Sequence, residues 1–407
     1  MAEQHEHIPY EVPELGELHW IRTPPKIFFE PHAIRYLAEL KDLSKIFIVS
    51  DRMIYKLGYV NRVMDILRRR RFNVEIEIYI DVPTEPTIHA VEEALEVMRT
   101  FGPDNIIALG GGSVIDAAKV MWMLFEHPEI PITEIPTRFH GLMDDVFKNP
   151  KTGKKSRLIA VPTTSGTGSE VSPFCILVDD KTKKTYPLSN YCFIPSVAIV
   201  DPEFTITLPK RTIADNGLDI LSHCIEAYTS KYSSDYSNSF ALEALQMIFK
   251  NFRGSYNGEH GARFNMHNAA TISGMATANG YNCVIHALAH KVADHYHIHH
   301  GKIAGILLPY VVRFNGSFVE EKYKTICLRT HIPLDGKNGT EALAQKCEQL
   351  LKETESTTKF RDLGIEKDDW EQKIQIIAND AVKLQDNGFN AKVATVDELL
   401  SILRAAY

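Results

Sequence analysis

Asp219 and His223 stand four residues apart, His286 and His290 repeat that spacing, and His300 follows them. On a helix, residues four apart share one face, and Leu218, Leu221 and Ile225 give the first pair a helical setting. Asp219, His223, His286 and His300 together offer one carboxylate and three imidazoles. That donor set suits Fe2+, Zn2+, Mn2+ or Co2+ and can leave a coordination position open, which makes the ion a Lewis acid for a substrate oxygen. A lone His/Asp pair on a helix is more often solvated than ligating, and the chain has 17 histidines, some in runs such as His295, His297 and His299. The set gains weight from the two loops that precede it in chain order.

The first loop is Gly110-Gly111-Gly112-Ser113, after a β-branched run (Asn105 to Leu109) and before a helical period that begins at Val114. Glycines permit close backbone approach, and free N–H groups at a helix start attract a diphosphate. The same sequence also suits a plain strand-to-helix turn, and it is not the G-x-G-x-x-G fingerprint. Asp51, just past the run Ile46 to Ser50, is placed to accept hydrogen bonds from a ribose and to repel a 2′-phosphate, so NAD is expected over NADP; its other reading is a helix cap. The second loop runs from Pro162 to Glu170, and Thr163, Thr164 and Thr167 offer hydroxyls and amides to the nicotinamide side and the diphosphate.

These groups need elements to position them. Up to about residue 200, β-branched runs (Lys45–Ser50, Val74–Ile80, Asn105–Leu109, Leu158–Pro162, Val197–Val200) alternate with helical periods (Asp51–Arg70, Thr87–Phe101, Val114–Phe125). Alternation of this kind reads as an α/β domain with a parallel sheet. Beyond Asp201 amphipathic segments dominate (Thr212–Ser230, Ser237–Phe252, Arg263–Asn279, Thr340–Leu363). The expected division is an α/β dinucleotide-binding domain over 1–203 and an all-α metal and substrate domain over 204–407. A chain of 407 residues has room for both cores.

Composition narrows the partners. A net charge of −7 without a basic tract argues against nucleic acid; the run Arg68 to Arg71 ends a periodic segment and reads as a helix C-terminus. Six cysteines lack C-x-x-C spacing, which points to reduced thiols. No run reaches the ~18 apolar residues of a membrane span, and no basic stretch leads an apolar one at the N-terminus. A cytoplasmic enzyme acting on a small molecule is expected.

The motifs GGGSVIDAAK (Gly110 to Lys119), PTTSGTGSEVSPF (Pro162 to Phe174), VDPE (Val200 to Glu203), GLDILSHCIEAY (Gly217 to Tyr228) and HALAHKVADHYHIHHG (His286 to Gly301) resemble the iron-containing, or group III metal-dependent, alcohol dehydrogenases. The likeness is greatest to the alcohol dehydrogenase module of bifunctional aldehyde-alcohol dehydrogenases. The resemblance implies a dehydroquinate synthase-like fold, NAD, one divalent metal (Fe2+ or Zn2+, with Mn2+ or Co2+ as alternatives), a homodimer or larger assembly, and hydride transfer between NADH and an aldehyde. It places Asp116 among the cofactor residues, Asp219, His223, His286 and His300 on the metal, and His290 beside it as a proton relay. The chain departs from ethanol-type members at Thr277, Asn282 and Lys302, where they tend to carry Phe, Leu and Leu. Those changes imply a more polar pocket and a short aldehyde with a polar or anionic tail, such as sulfoacetaldehyde, reduced to isethionate within this family. Two alternatives stay open: an acetaldehyde/ethanol or butanol dehydrogenase, and a lyase resembling dehydroquinate synthase.

Overall fold

The computed structural model describes residues 20–139, 150–182 and 184–407; the N-terminal stretch read above for a leader lies outside the described residues. Among the described residues of the first half there are eight strands: β1 (Ile27–Phe29), β2 (Lys45–Val49), β3 (Glu75–Tyr79), β4 (Asn105–Gly110), β5 (Arg157–Pro162), β6 (Phe174–Val178), β7 (Thr185–Ser189) and β8 (Val197–Val200). Between them run α1 (Tyr36–Glu39), α2 (Arg52–Lys56), α3 (Tyr59–Arg68), α4 (Ile88–Phe101), α5 (Gly112–Glu126) and α6 (Ile135–Arg138).

Six strands form one parallel sheet in the order β1-β8-β5-β4-β2-β3. The central strands are apolar on both sides because both faces are covered. Alternate residues of β2 show this: Phe47 and Val49 pack with Val91 of α4 and Val114 of α5, whereas Ile46 and Ile48 pack with Val60, Val63 and Leu67 of α3. From β2 the chain moves outward to β3 and then returns to β4 on the other side of β2, so the topology switches between β2 and β4. At such a switch the carboxyl ends of the strands border a ligand crevice. Asp51, the glycine loop and the Pro162 loop all follow strands of this central group.

The second half is helical: α7 (Lys210–Thr229), α8 (Asp235–Tyr256), α9 (His260–Gly280), α10 (Val284–Tyr296), α11 (His300–Arg329), α12 (Gly339–Glu353), α13 (Lys367–Ala381), α14 (Gln385–Phe389) and α15 (Val396–Ala406). Leu218, Leu221 and Ile225 of α7 enter its core with Ile248 and Phe252 of α8 and Ile303 and Leu307 of α11. Among the described residues no strand follows β8.

Several local expectations needed correction. The period Asp51–Arg70 is two helices, because Gly58 takes a left-handed φ of 79° between them. The segment Thr340–Leu363 ends its α-helix at Glu353 and resumes only as a 3-10 turn at Phe360–Leu363. β1 and the antiparallel pair β6/β7 went unread. β1 has only three residues, and β7 contains Pro187, which usually argues against a strand.

Candidate metal and cofactor site

Asp219 and His223 lie on one face of α7, His286 lies in the first turn of α10, and His300 opens α11. α11 reaches α7 because glycine follows His300: a Cβ on Gly301 would stand 2.3 Å from the Asp215 carbonyl oxygen and 3.0 Å from Asp219 Cβ. Ligand atoms of Asp219, His223 and His286 lie within 4.8 Å of one another. Asp219 Oδ1 is 3.7 Å from His286 Nε2 and 3.8 Å from His300 Nε2. The His223 and His286 rings stack at 4.5 Å, and His290 lies 4.7 Å from the His300 ring. All five side chains singled out by spacing therefore come together.

Asp219 Oδ1, His223 Nδ1 and His286 Nε2 are buried without a hydrogen-bond partner among the described residues. Each such orphan costs ~1–3 kcal/mol, so three of them converging fit a cation. Glu226, which sequence reasoning missed, completes the arrangement. Its carboxylate accepts from the Ile285 N–H and from His286 Nδ1, each at 2.5 Å. Fixing the Nδ1 proton leaves the Nε2 lone pair directed inward, as carboxylate–histidine pairs do at metal sites. The signal was present, because Glu226 lies seven residues past Asp219 and three past His223, on the same helix face.

The charges agree with this reading. Burial alone would raise the Asp219 carboxyl, but the imidazoles of His223, His286 and His300 outweigh it and hold it well below the usual range. Burial also works against a charged His286, yet Glu226 and Asp219 raise it to about 10. His223 is pushed down to about 4, chiefly by burial. His290 falls to about 3 for the same reason, with His286 adding to it. Protonated on both nitrogens, His286 offsets one of the two carboxylates while His223 and His290 stay neutral; a bound cation would take the place of the His286 Nε2 proton.

On the sheet side, β4 runs directly into α5. Gly111 precedes the helix without a side-chain cap, so the first N–H groups of α5 remain available to an anion. A Cβ on Gly112 would stand 2.6 Å from Thr167 Cγ2, and one on Gly111 would stand 3.4 Å from Thr164 Cγ2. The two loops therefore face each other, joined by the Thr163 N–H donating to the Gly110 carbonyl at 2.9 Å. Ser113 Oγ donates to the Thr84 carbonyl. Asp116 is buried one turn into α5, where it accepts from Ser169 Oγ at 2.5 Å and from the Ile176 N–H at 2.9 Å; its carboxylate braces the second loop. Asp51 caps α2, its Oδ1 accepting from the Ile54 N–H at 2.8 Å, which uses one of its two oxygens.

The three residues assigned to the substrate differ in what they offer. Thr277 Oγ1 donates to the Ser273 carbonyl within α9 at 3.0 Å. Asn282 Oδ1 is buried without a partner among the described residues, four positions before His286. Lys302 is buried beside Asp215, one helical turn ahead of Asp219. Burial pushes the Asp215 carboxyl up, while Lys302, His299 and Arg211 pull it back. Arg211 Nε and His299 Nδ1 lie 3.9 Å and 3.8 Å from Asp215 Oδ2.

Comparison with known proteins bears on this geometry. A family model described as iron-containing alcohol dehydrogenase matches residues 24–202, and the C-terminal model of the same family matches 213–407. The chain belongs to the iron-containing alcohol dehydrogenase family. It is a family of oxidoreductases that use NAD and a divalent metal. Aldehyde-alcohol dehydrogenase 2 of Entamoeba histolytica is 50% identical to this chain over 96% of it, but the match covers 47% of that relative. The chain thus spans about half the length of that relative. NADPH-dependent butanol dehydrogenase of Clostridium saccharobutylicum is 33% identical, covering 94% of this chain and 97% of the relative. Among solved structures of this fold, sulfoacetaldehyde reductase from Bifidobacterium kashiwanohense in complex with NAD+ matches with a TM-score of 0.81 and 25% identity, covering 96% of this chain and 99% of that one. A parallel-sheet domain followed by a helical one is the architecture they share.

Proposed function

We propose that this chain reversibly reduces short aldehydes with NADH at a divalent metal, with a preference for a polar or anionic tail such as that of sulfoacetaldehyde. The observation that carries the reading is the buried convergence of Asp219, His223 and His286, their donor atoms unpaired, with His300 beside them. When bound, the divalent ion supplies Lewis acidity toward the substrate oxygen, and NADH supplies the hydride. The chain's own residues do the rest. Asp219, His223, His286 and His300 would hold the ion, with Glu226 fixing the His286 tautomer. The N–H groups at the start of α5, with Thr163, Thr164 and Thr167, would receive the diphosphate, and Asp51 the adenosine ribose. His290, next to His300, would relay a proton to the product oxygen, taking one from solvent on one ring nitrogen as the other gives one up.

The substrate preference rests on chemistry near the metal residues. The unpaired Asn282 Oδ1 asks for a polar contact. Around Asp215 and Asp219, Lys302 and Arg211 supply two positive charges, and with Asp219 engaged by a bound cation an anionic tail would find the Lys302 ammonium available for a charge-assisted contact. A second reading, an acetaldehyde/ethanol or butanol dehydrogenase, draws support from the 50% and 33% identities above. Membership in the family of alcohol dehydrogenases sets the lyase alternative aside. Both remaining readings are compatible with a cytoplasmic homodimer. The deciding measurement is kcat/KM for sulfoacetaldehyde against acetaldehyde, with NADH and the metal-loaded chain. A higher value for sulfoacetaldehyde is expected; equal or better turnover of acetaldehyde defeats the anionic preference.

A further inference from the structure

The loop from Pro162 to Glu170 is gripped by a helix that belongs to the other half of the chain. Ser165 Oγ and His267 Nδ1 lie 3.0 Å apart. Thr271 Oγ1 donates to Glu170 Oε1 at 2.7 Å. Between these contacts Gly168, at a φ of 62°, lies directly on Gly274: a Cβ on Gly168 would stand 2.5 Å from Gly274 Cα, and one on Gly274 would stand 2.7 Å from Gly168 Cα. His267, Thr271 and Gly274 follow one another at four and three residues, so a single face of α9 makes all three contacts. From the opposite side α5 holds the same segment, through Asp116 to Ser169 Oγ and through Lys119 Nζ to the carbonyls of Ser172 and Phe174.

This loop also presents Thr164 and Thr167 to Gly111 and Gly112. His267 is 1% exposed, and burial lowers it to about 3, so it works as a neutral hydrogen-bonding ring. None of its described hydrogen bonds reaches the metal residues.

We propose that His267 is a positioning residue for the nucleotide: by holding Ser165 it sets Thr163, Thr164 and Thr167 against the glycine loop, so the metal-bearing half governs NADH affinity. This rests on the assignment of NADH as cofactor. The test compares His267→Ala and His267→Asn with the parent chain, all loaded with the same metal. NADH binding is read by fluorescence titration, and amide hydrogen exchange is followed over residues 163–170. Losing one hydrogen bond is expected to raise the NADH Kd about 3- to 10-fold in His267→Ala. Metal content and kcat at saturating NADH should stay near parent values, so that the effect sits in KM. Asn, whose amide reaches the Nδ1 position, is expected to restore most of the affinity. If His267→Ala does not fold, Thr271→Val removes the neighbouring grip and should show the same split. An unchanged Kd in the folded variants, or Asn performing no better than Ala, overturns the proposal. Should the parent chain itself not bind NADH, the cofactor assignment falls. Exchange then judges the clamp alone: faster exchange in His267→Ala, reversed by Asn, upholds the hold on the loop, and unchanged exchange overturns it.

Discussion

Glu226 is the residue whose role depends most on its neighbour. Its carboxylate contacts His286 Nδ1 and the Ile285 N–H, so removing its charge frees the ring to turn and weakens its basicity. Glu226→Gln is expected to cut metal affinity by about 10- to 100-fold, read as metal retained per chain under chelator competition; unchanged retention would deny the pair any part in binding. Asp51 makes the opposite kind of prediction, one of selectivity. Asn also caps helices well, so Asp51→Asn should keep the melting temperature while losing the repulsion of a 2′-phosphate. The NADH to NADPH ratio of kcat/KM is expected to fall about 10-fold or more, and a ratio that stays put would leave Asp51 as a cap only. Residue spacing made the clustering of Asp219 with His223 and of His286 with His290 legible because a helix turns four-residue spacing into proximity. Glu226 escaped notice because a carboxylate that touches a ligand looks, in sequence, like any other acid on a helix.

At the scale of elements, the site depends on how closely α11 approaches α7. Gly301 and Gly305 leave room for that approach; a Cβ on Gly305 would stand 2.6 Å from Leu218 Cδ1. Gly301→Ala forces the two helices apart against the Asp215 carbonyl, an overpacking that costs about 1–3 kcal/mol, and it moves His300 away from Asp219. The expected result is a lower melting temperature together with substoichiometric metal in the purified chain. Full metal content would show that the helix pair absorbs the methyl group elsewhere. This contact was unreadable beforehand, since nothing in His300-Gly301 says which helix the glycine will touch. The sheet was easier: apolar runs buried on both faces announce central parallel strands, whereas the short β1 and the Pro187-containing β7 lack that pattern.

Across the whole molecule, burial of His267 between the two halves links stability to pH. Its folded value of about 3 lies below its ordinary 6.5. Between those values the unfolded chain binds a proton that the folded chain refuses, so this contribution is lost as pH falls from about 6.5 and regained as pH rises. One such proton corresponds to a slope of up to ~1.4 kcal/mol per pH unit. Urea unfolding of the parent and of His267→Asn at pH 4.5 and 6.5, in the same metal state, is expected to show a shallower pH dependence in the variant; parallel slopes would remove His267 from the account. The sequence by itself determined the order of the parts: strands with glycine and threonine loops first, then helices bearing a carboxylate and three imidazoles. Those features are local, and helix and strand periods convert them directly into faces and strand ends. Only the tertiary structure decided that Glu226 contacts His286, that Asp116 braces a loop, that Lys302 lies beside Asp215, and that α9 holds the Pro162 to Glu170 loop. Each of these is a contact between segments distant in sequence, chosen by close packing and by the need of buried polar groups for partners; spacing put Glu226 on the face of Asp219 and His223 but did not name His286 as its partner.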